Sequence, residues 1–263
     1  MPLIPSLINW LNIKRFHQIE LMRKYPENVQ NETFQKLISQ ATHTEWGKKY
    51  GYADISNYAA FQERVPLNHY DDLKPFINRH REGEDNILWP GEIKWYAKSS
   101  GTTNDKSKFL PVSRESLEEN HFRGGKDVMA IYTHNFPETE LFKGKSLTLG
   151  GSHKIDRVNN QAFFGDLSAI LIETMPFWAD IRRTPKSEVA LIEDFEEKLE
   201  KLTAESIKEN VTSLAGTPSW NLVMINYVLD YTGKKNLLEV WPNLELFVHG
   251  GVSFLPYIDQ FKK

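Results

Sequence analysis

Four short strand-like segments, each running into a glycine-containing loop, constrain the fold of this chain most strongly. They lie at 93–97, 145–149, 211–215 and 244–249. Segments with helical periodicity separate them, and strands that alternate with helices are typical of a parallel sheet covered on both faces. We therefore predict an α/β fold with a mostly parallel sheet flanked by helices. Ligands bind such sheets at the carboxyl ends of the strands, so the glycine loops are candidate sites.

Helical patterns fill much of the remaining chain. Residues 1–60 are predicted to form a helical leader, and two later helices are expected to begin at the capping residues Ser187 and Ser219. Between 61 and 84, Pro66 and Pro75 predict short helices joined by turns. We expect Pro75 to lie outside a helix, because proline disrupts a helix interior.

The N-terminus carries apolar residues at helical spacing, namely Leu3, Ile4, Leu7, Ile8 and Leu11. The favoured interpretation is a helix docked on the protein's own core, and the alternative is a helix lying in a membrane interface. No apolar run approaches the roughly 20 residues that a membrane-spanning helix requires. We therefore expect no membrane partner.

Composition excludes several classes of protein. The chain has 263 residues, a formal net charge of −3 and no cysteine. It therefore lacks disulfides, thiolate nucleophiles and the basic excess of a nucleic-acid-binding protein, and a cytoplasmic location is expected. Its eight histidines show no metal-ligand spacing, so no metal ligand from the protein can be identified. No G-x-S-x-G elbow supports a serine hydrolase.

The loop after the first strand, SSGTTNDKSKFLP, has the chemistry of a phosphate cradle. Gly101 allows a tight turn that presents backbone amides, hydroxyl side chains add donors, and Lys106 or Lys108 supplies positive charge. Two alternatives remain at this point. A P-loop would require a second glycine where Asp105 stands, and a polar surface turn would have a similar composition.

Several segments together resemble a known family. SSGTTNDKSKFLP is similar to the phosphate loop of adenylate-forming enzymes, and the preceding residues match the pattern F…R.P…Y.D..P.I.R…GE. KGKSLTLGGS, AGTPSWNLVM and WPNLELFVHGG follow in the same order. This order and spacing, over about residues 30–256, resembles the Gretchen Hagen family of acyl acid amido synthetases, the auxin-responsive proteins of plants and their bacterial relatives.

The resemblance implies the large domain of the adenylate-forming fold, with ATP and Mg²⁺ as cofactors. It assigns phosphate binding to Ser99, Ser100, Gly101, Thr102, Thr103 and Lys108, with Lys108 as the catalytic residue. It places Gly250 and Gly251 beside the adenine, although a simple strand-ending turn is an equal interpretation. It assigns the acyl pocket to Gly216, Thr217, Pro218 and Trp220, with core packing as the alternative for Trp220.

Two departures from the family qualify these expectations. Asn104 and Asp105 stand where plant members usually carry glycine. Family members are also longer, with further ATP-binding elements and a mobile C-terminal domain. We therefore expect 1–263 to be an incomplete N-terminal domain that is catalytically incomplete by itself.

The implied function is ATP-dependent activation of a small carboxylic acid as an acyl-adenylate, followed by conjugation to an amino acid. An acyl-CoA synthetase-like enzyme and a non-catalytic nucleotide-binding fragment are the alternatives. The sequence leaves the oligomeric state open.

Overall fold

The computed structural model describes residues 3–99, 107–151, 156–157 and 162–262. The chain divides into two compact units, each made of two separate stretches. Unit 1 comprises Met1–Pro137 and Ile155–Leu167, and unit 2 comprises Glu138–Lys154 and Ser168–Lys263.

The α/β class predicted from the sequence is confirmed. The α-helices are α1 (Leu3–Lys24), α2 (Pro26–Ala41), α3 (Glu45–Lys49), α4 (Tyr58–Arg64), α5 (Tyr70–Arg81), α6 (Phe122–Asn135), α7 (Leu167–Glu173), α8 (Phe177–Asp180), α9 (Ser187–Ala190), α10 (Phe195–Ser206), α11 (Pro218–Thr232) and α12 (Ile258–Phe261). The strands are β1 (Trp95–Lys98), β2 (Phe109–Val112), β3 (Lys145–Thr148), β4 (Asp156–Arg157), β5 (Phe163–Gly165), β6 (Arg183–Thr184), β7 (Val211–Gly216) and β8 (Leu246–His249).

The strands form two four-stranded sheets, one in each unit. The sheet of unit 2 has the order β6-β3-β7-β8 and is entirely parallel, so the last three predicted strands are neighbours. The first predicted strand, β1, lies instead in the mixed sheet of unit 1, with the order β2-β1-β5-β4. There it pairs antiparallel with β2 and parallel with β5.

Helices supply most of unit 1, and α1, α2 and α3 lie within the stretch predicted to form a helical leader. α1 packs against α6, where the Arg15 guanidinium donates to Asp127 at 2.5 and 2.9 Å and the Phe16 ring stacks on His134. This contact agrees with a helix docked on its own protein. Among the helices in the described part of the chain, none combines the length and apolarity needed to cross a bilayer.

Pro75 lies inside α5, so the expectation that it stands outside a helix is wrong. The proline removes one backbone hydrogen bond, but α5 retains tertiary packing through the buried Ile77 and the partly buried Leu73 and Phe76. Packing therefore offsets the local cost.

Two predicted helix starts in unit 2 need correction. The helix expected from Ser187 is interrupted: α9 ends at Ala190, and α10 starts afresh with Asp194 as N-cap, its side chain accepting from the Glu197 amide at 2.8 Å. Asp194 is the stronger start because its carboxylate satisfies a free amide at the positive end of the helix. α11 begins at Pro218 after Thr217, one residue before the predicted cap Ser219.

Candidate functional site

A β-hairpin carries the predicted phosphate loop. β1 and β2 pair through Lys98 and Phe109, and the next pair outward closes the base of the loop. The Ser99 amide donates to the Lys108 carbonyl at 2.9 Å, and the Lys108 amide donates to the Ser99 hydroxyl at 3.1 Å. Ser100, Gly101, Thr102, Thr103 and Lys106 lie outside the described residues. The structure therefore fixes where the loop leaves and rejoins the sheet, and its phosphate-binding role stays a prediction.

Tyr70 on α5 contacts this hairpin, and no functional role for it was expected from the sequence. Its hydroxyl oxygen accepts from the Phe109 amide at 2.9 Å, and the Lys108 Nζ lies 5.6 Å from the centroid of its ring. The ring attracts the ammonium through its π face. No carboxylate within the described ranges forms an ion pair with Lys108, so its charge is available to an anion.

The spacing Y.D..P.I.R that carries the resemblance now has a physical explanation. Tyr70 binds the hairpin, and Asp72 accepts from the His69 amide at 2.7 Å to close the start of α5. Ile77 is buried, and Arg79 binds carboxylates on both sides. The pattern marks the helix that supports the β1–β2 hairpin, which is the signal that points to Tyr70.

Arg79 joins three segments at the far end of α5. Its guanidinium donates to Glu84 at 2.7 Å and to Glu45, at the start of α3, at 2.9 Å. The hydrogen bonds that Arg79 donates to these two carboxylates raise its pKa. In return, the bonds from Arg79 lower the pKa of each carboxyl group. The cluster is solvent-exposed, where ion pairs contribute little to stability.

Two polar side chains are buried near the hairpin. Burial raises the pKa of the Tyr96 hydroxyl on β1, which has no hydrogen-bond partner in the described structure. Burial also lowers the pKa of His80 on α5, whose Nε2 accepts from the Leu88 amide at 3.3 Å. Both groups are therefore kept neutral near pH 7.

In unit 2, the carboxyl ends of β7 and β8 bring together the predicted acyl and adenine loops. Gly216 pairs with His249 in the parallel register, so Thr217 and Gly250 follow at the same edge. A Cβ added at Gly251 would lie 3.4 Å from Thr217 Oγ1, which places the two loops in contact. The hairpin that carries the predicted phosphate loop belongs to unit 1.

Gly216 has a backbone that requires glycine. Its φ is +144°, and a Cβ there would lie 2.6 Å from Asn221 Nδ2 and 3.5 Å from the Leu149 carbonyl oxygen. Asn221 is fully buried and donates from Nδ2 to the Thr217 carbonyl at 3.0 Å. The start of α11 is therefore packed tightly beneath this edge.

Trp220 does not lie in the core. Its side chain is 54% exposed and contacts Phe195 edge-to-face, with 4.9 Å between the ring centroids. This exposure disfavours the core-packing interpretation and leaves an aromatic surface beside Thr217 and Pro218. Within the described ranges, no group of three or more histidine and acidic side chains could hold a metal ion.

Comparison with known proteins decides the family. A family model described as the GH3 family N-terminal domain matches residues 15–263. The chain belongs to the GH3 family. This confirms the resemblance to the Gretchen Hagen proteins, for which GH3 is the short name.

Plant enzymes of known activity are similar to parts of this GH3 chain. It is 30% identical over 142 residues to indole-3-acetic acid-amido synthetase GH3.2 of Arabidopsis thaliana, covering 52% of this chain and 24% of that protein. It is 30% identical over 102 residues to jasmonoyl–L-amino acid synthetase JAR4 of Nicotiana attenuata, covering 38% of this chain and 18% of that protein.

Solved GH3 structures share the fold. The GH3.15 acyl acid amido synthetase matches with a TM-score of 0.73 at 15% identity, covering 93% of this chain and 53% of that one. AtGH3.15 in complex with 2,4-DB matches with a TM-score of 0.75. This GH3 chain thus spans about half the length of the solved relatives.

Proposed function

We propose that this GH3 chain forms the acid-activating part of an ATP-dependent acyl acid amido synthetase. The names of its relatives support this class, since the similar plant proteins are an indole-3-acetic acid-amido synthetase and a jasmonoyl–L-amino acid synthetase. The expected substrates are ATP, a small carboxylic acid and an amino acid. The assignment of 1–263 as an incomplete domain stays a prediction.

The observation that carries the proposal is the hairpin closed by Ser99 and Lys108. It sets a Ser/Thr/Gly-rich loop between two paired strands, with a lysine at its end. Because Lys108 has no carboxylate partner among the described residues, its ammonium suits a polyphosphate. The donors therefore fit ATP, with Ser99, Ser100, Gly101, Thr102, Thr103 and Lys108 binding the β- and γ-phosphates.

The reaction requires two anions to meet. A carboxylate oxygen attacks the α-phosphorus of ATP, the bond to the β-phosphate oxygen breaks, and pyrophosphate leaves. An amino acid nitrogen then attacks the acyl carbon, AMP leaves, and the nitrogen loses a proton. Mg²⁺ would neutralise charge on the phosphate oxygens. The protein's contribution is positioning and charge stabilisation, with Lys108 offsetting the charge that develops on pyrophosphate.

The acid is assigned to the edge of unit 2 around Gly216, Thr217, Pro218 and Trp220. The half-exposed Trp220 offers an aromatic surface, and the N-terminus of α11 favours a negative group. Gly250 and Gly251 are assigned to the adenine side, and Gly251 lies beside Thr217.

Pyrophosphate exchange tests the proposal. The protein, expressed at the length that its gene encodes, is incubated with ATP, labelled pyrophosphate and a panel of aryl and aliphatic carboxylic acids. We expect acid-dependent incorporation of label into ATP for at least one acid, and no incorporation across the panel would refute the proposal. Adding amino acids or coenzyme A then separates an amide product from a thioester product.

A further inference from the structure

A fully buried lysine reaches the carboxyl edge of the parallel sheet. Lys198 lies in the first turns of α10 with no side-chain exposure, and its Nζ donates to the Gly151 carbonyl at 2.9 Å. Gly151 is part of the turn that follows β3, which we define as residues 149–151. Lys198 is not among the residues assigned to the phosphates, the adenine or the acid.

This contact ties α10 to the turn after β3. The Lys198 side chain is fully buried, and its Nζ reaches the carbonyl of a residue 47 positions earlier in the chain. Loss of this donor would leave the Gly151 carbonyl without its bond, and an unsatisfied acceptor away from water costs free energy. The position of the turn is therefore expected to depend on Lys198.

Other contacts fix the same turn. The Gly151 amide donates to the Ser168 hydroxyl on α7 at 3.1 Å. At Gly150, an added Cβ would lie 2.5 Å from Ile172 Cδ1 and 3.1 Å from the Ala190 carbonyl oxygen. The amide and the carbonyl of Gly151 are therefore both hydrogen-bonded, and the neighbouring Gly150 is packed without spare room.

The turn borders the proposed acid site. The Leu149 amide donates to the Ala215 carbonyl at 3.3 Å, and the Leu149 carbonyl oxygen lies 3.5 Å from the position a Cβ would take on Gly216. A shift of residues 149–151 would therefore move one wall of the edge at Gly216.

We propose that Lys198 is a positioning residue for acid binding, acting by fixing the 149–151 turn against Gly216. It touches Gly151 rather than the substrate, and Ser168 shares the task. This inference rests on the proposed function, because it assigns the edge at Gly216 to the acid.

The Lys198→Met variant tests the inference. Steady-state kinetics of pyrophosphate exchange are measured on the protein expressed at the length that its gene encodes. We expect the KM for the acid to rise at least 10-fold, while the KM for ATP changes less than 2-fold. Lys201→Met is the matched control, since Lys201 lies on the same helix but is exposed and pairs with Glu197. It should leave both constants within 2-fold of wild type. If the lysine had only a structural role, its replacement would lower the fraction of active protein, and hence kcat, while the KM values for the acid and for ATP would stay unchanged.

Ser168→Ala provides the second variant. It removes the other bond to Gly151 and should raise the same KM. In the double variant, the KM for the acid should rise by less than the product of the two single increases, because both substitutions act on one turn. If Lys198→Met does not fold, Ser168→Ala alone decides: an unchanged KM for the acid would overturn the inference.

Hydrogen exchange gives a readout that needs no activity. In Lys198→Met, the Gly151 amide should exchange at least 10-fold faster, while amides of β7 keep their wild-type rates. An unchanged Gly151 rate would overturn the inference. A wild-type protein that does not exchange pyrophosphate into ATP would instead refute the proposed function. An active wild type with an unchanged acid KM in Lys198→Met would refute only the role of Lys198.

Discussion

At the scale of single residues, the edge of the parallel sheet depends on Gly216 more than on its neighbours. Its positive φ and the nearby Asn221 side chain both exclude a larger residue. Gly250, at the end of the neighbouring strand, has open space around it. Two glycines that look alike in sequence therefore carry different constraints.

We expect Gly216→Ala to lower the free energy of unfolding by about 1–3 kcal/mol, because it combines backbone strain with a close contact. Urea denaturation measures this loss. Gly250→Ala is the control and should stay within about 0.5 kcal/mol of wild type. Equal losses for the two variants would show that the space at Gly216 is not limiting.

Lys108 and Lys106 are predicted to differ in their importance for the exchange of pyrophosphate into ATP. Lys108 lies at the base of the loop, with its Nζ beside the Tyr70 ring. We therefore expect Lys108→Ala to reduce the rate of pyrophosphate exchange by about 100-fold or more. Lys106→Ala should reduce that rate less. The opposite order would mean that the register assigned to the loop is wrong.

At the scale of elements, the sequence predicted strands better than helix ends. The predicted strands that run into the loops at Gly150, Gly216 and Gly250 are present as β3, β7 and β8. Apolar runs followed by glycine predict a buried strand and a chain reversal directly. The separate sheet of β1 was not predicted, since pairing between distant strands leaves no local pattern. The break before Asp194 and the tolerance of Pro75 also depend on tertiary contacts.

The two loops assigned to the acid and the adenine lie together, because parallel strands end at one edge of a sheet. Their roles in binding stay predictions. Tyr70 and Lys198 were missed as functional candidates, since each acts through a contact far away in sequence.

α5 gives a pH-dependent prediction through His80. Burial lowers its folded-state pKa below 6.5, so the unfolded state binds the proton more readily. The stabilising contribution is present above pH 6.5 and is lost as the pH falls toward the folded-state pKa.

Urea denaturation between pH 7.5 and 5.5 measures this loss. We expect wild type to lose stability over that range, by up to about 1.4 kcal/mol per pH unit below 6.5 from this group. The His80→Gln variant should lose less free energy of unfolding over the same range. The His17→Gln variant, changed at an exposed position of α1, should lose as much as wild type. An identical decline in wild type and His80→Gln would contradict the assignment.

At the scale of the whole molecule, each unit has its own core. The core of unit 2 includes Leu202, Leu214 and Trp241, and unit 1 buries Ile77 and Tyr96. Local unfolding can therefore differ between the units.

We expect Leu214→Ala to destabilise unit 2 by about 2–5 kcal/mol, because Leu214 is fully packed. Native-state hydrogen exchange should show lost protection in β3 and β7, with β1 and β5 unchanged. Ile77→Ala should give the reverse pattern. Uniform loss throughout the chain in both variants would show that the units unfold together.

The interleaving of the two units has a consequence for synthesis and for gene history. The chain leaves unit 1 after Pro137, returns at Ile155 and leaves again after Leu167. β1 cannot acquire its parallel neighbour β5 until the ribosome has already made β3, which belongs to unit 2. Recombination at a single breakpoint could not exchange either unit whole, so the two halves of this fold are inherited as one piece.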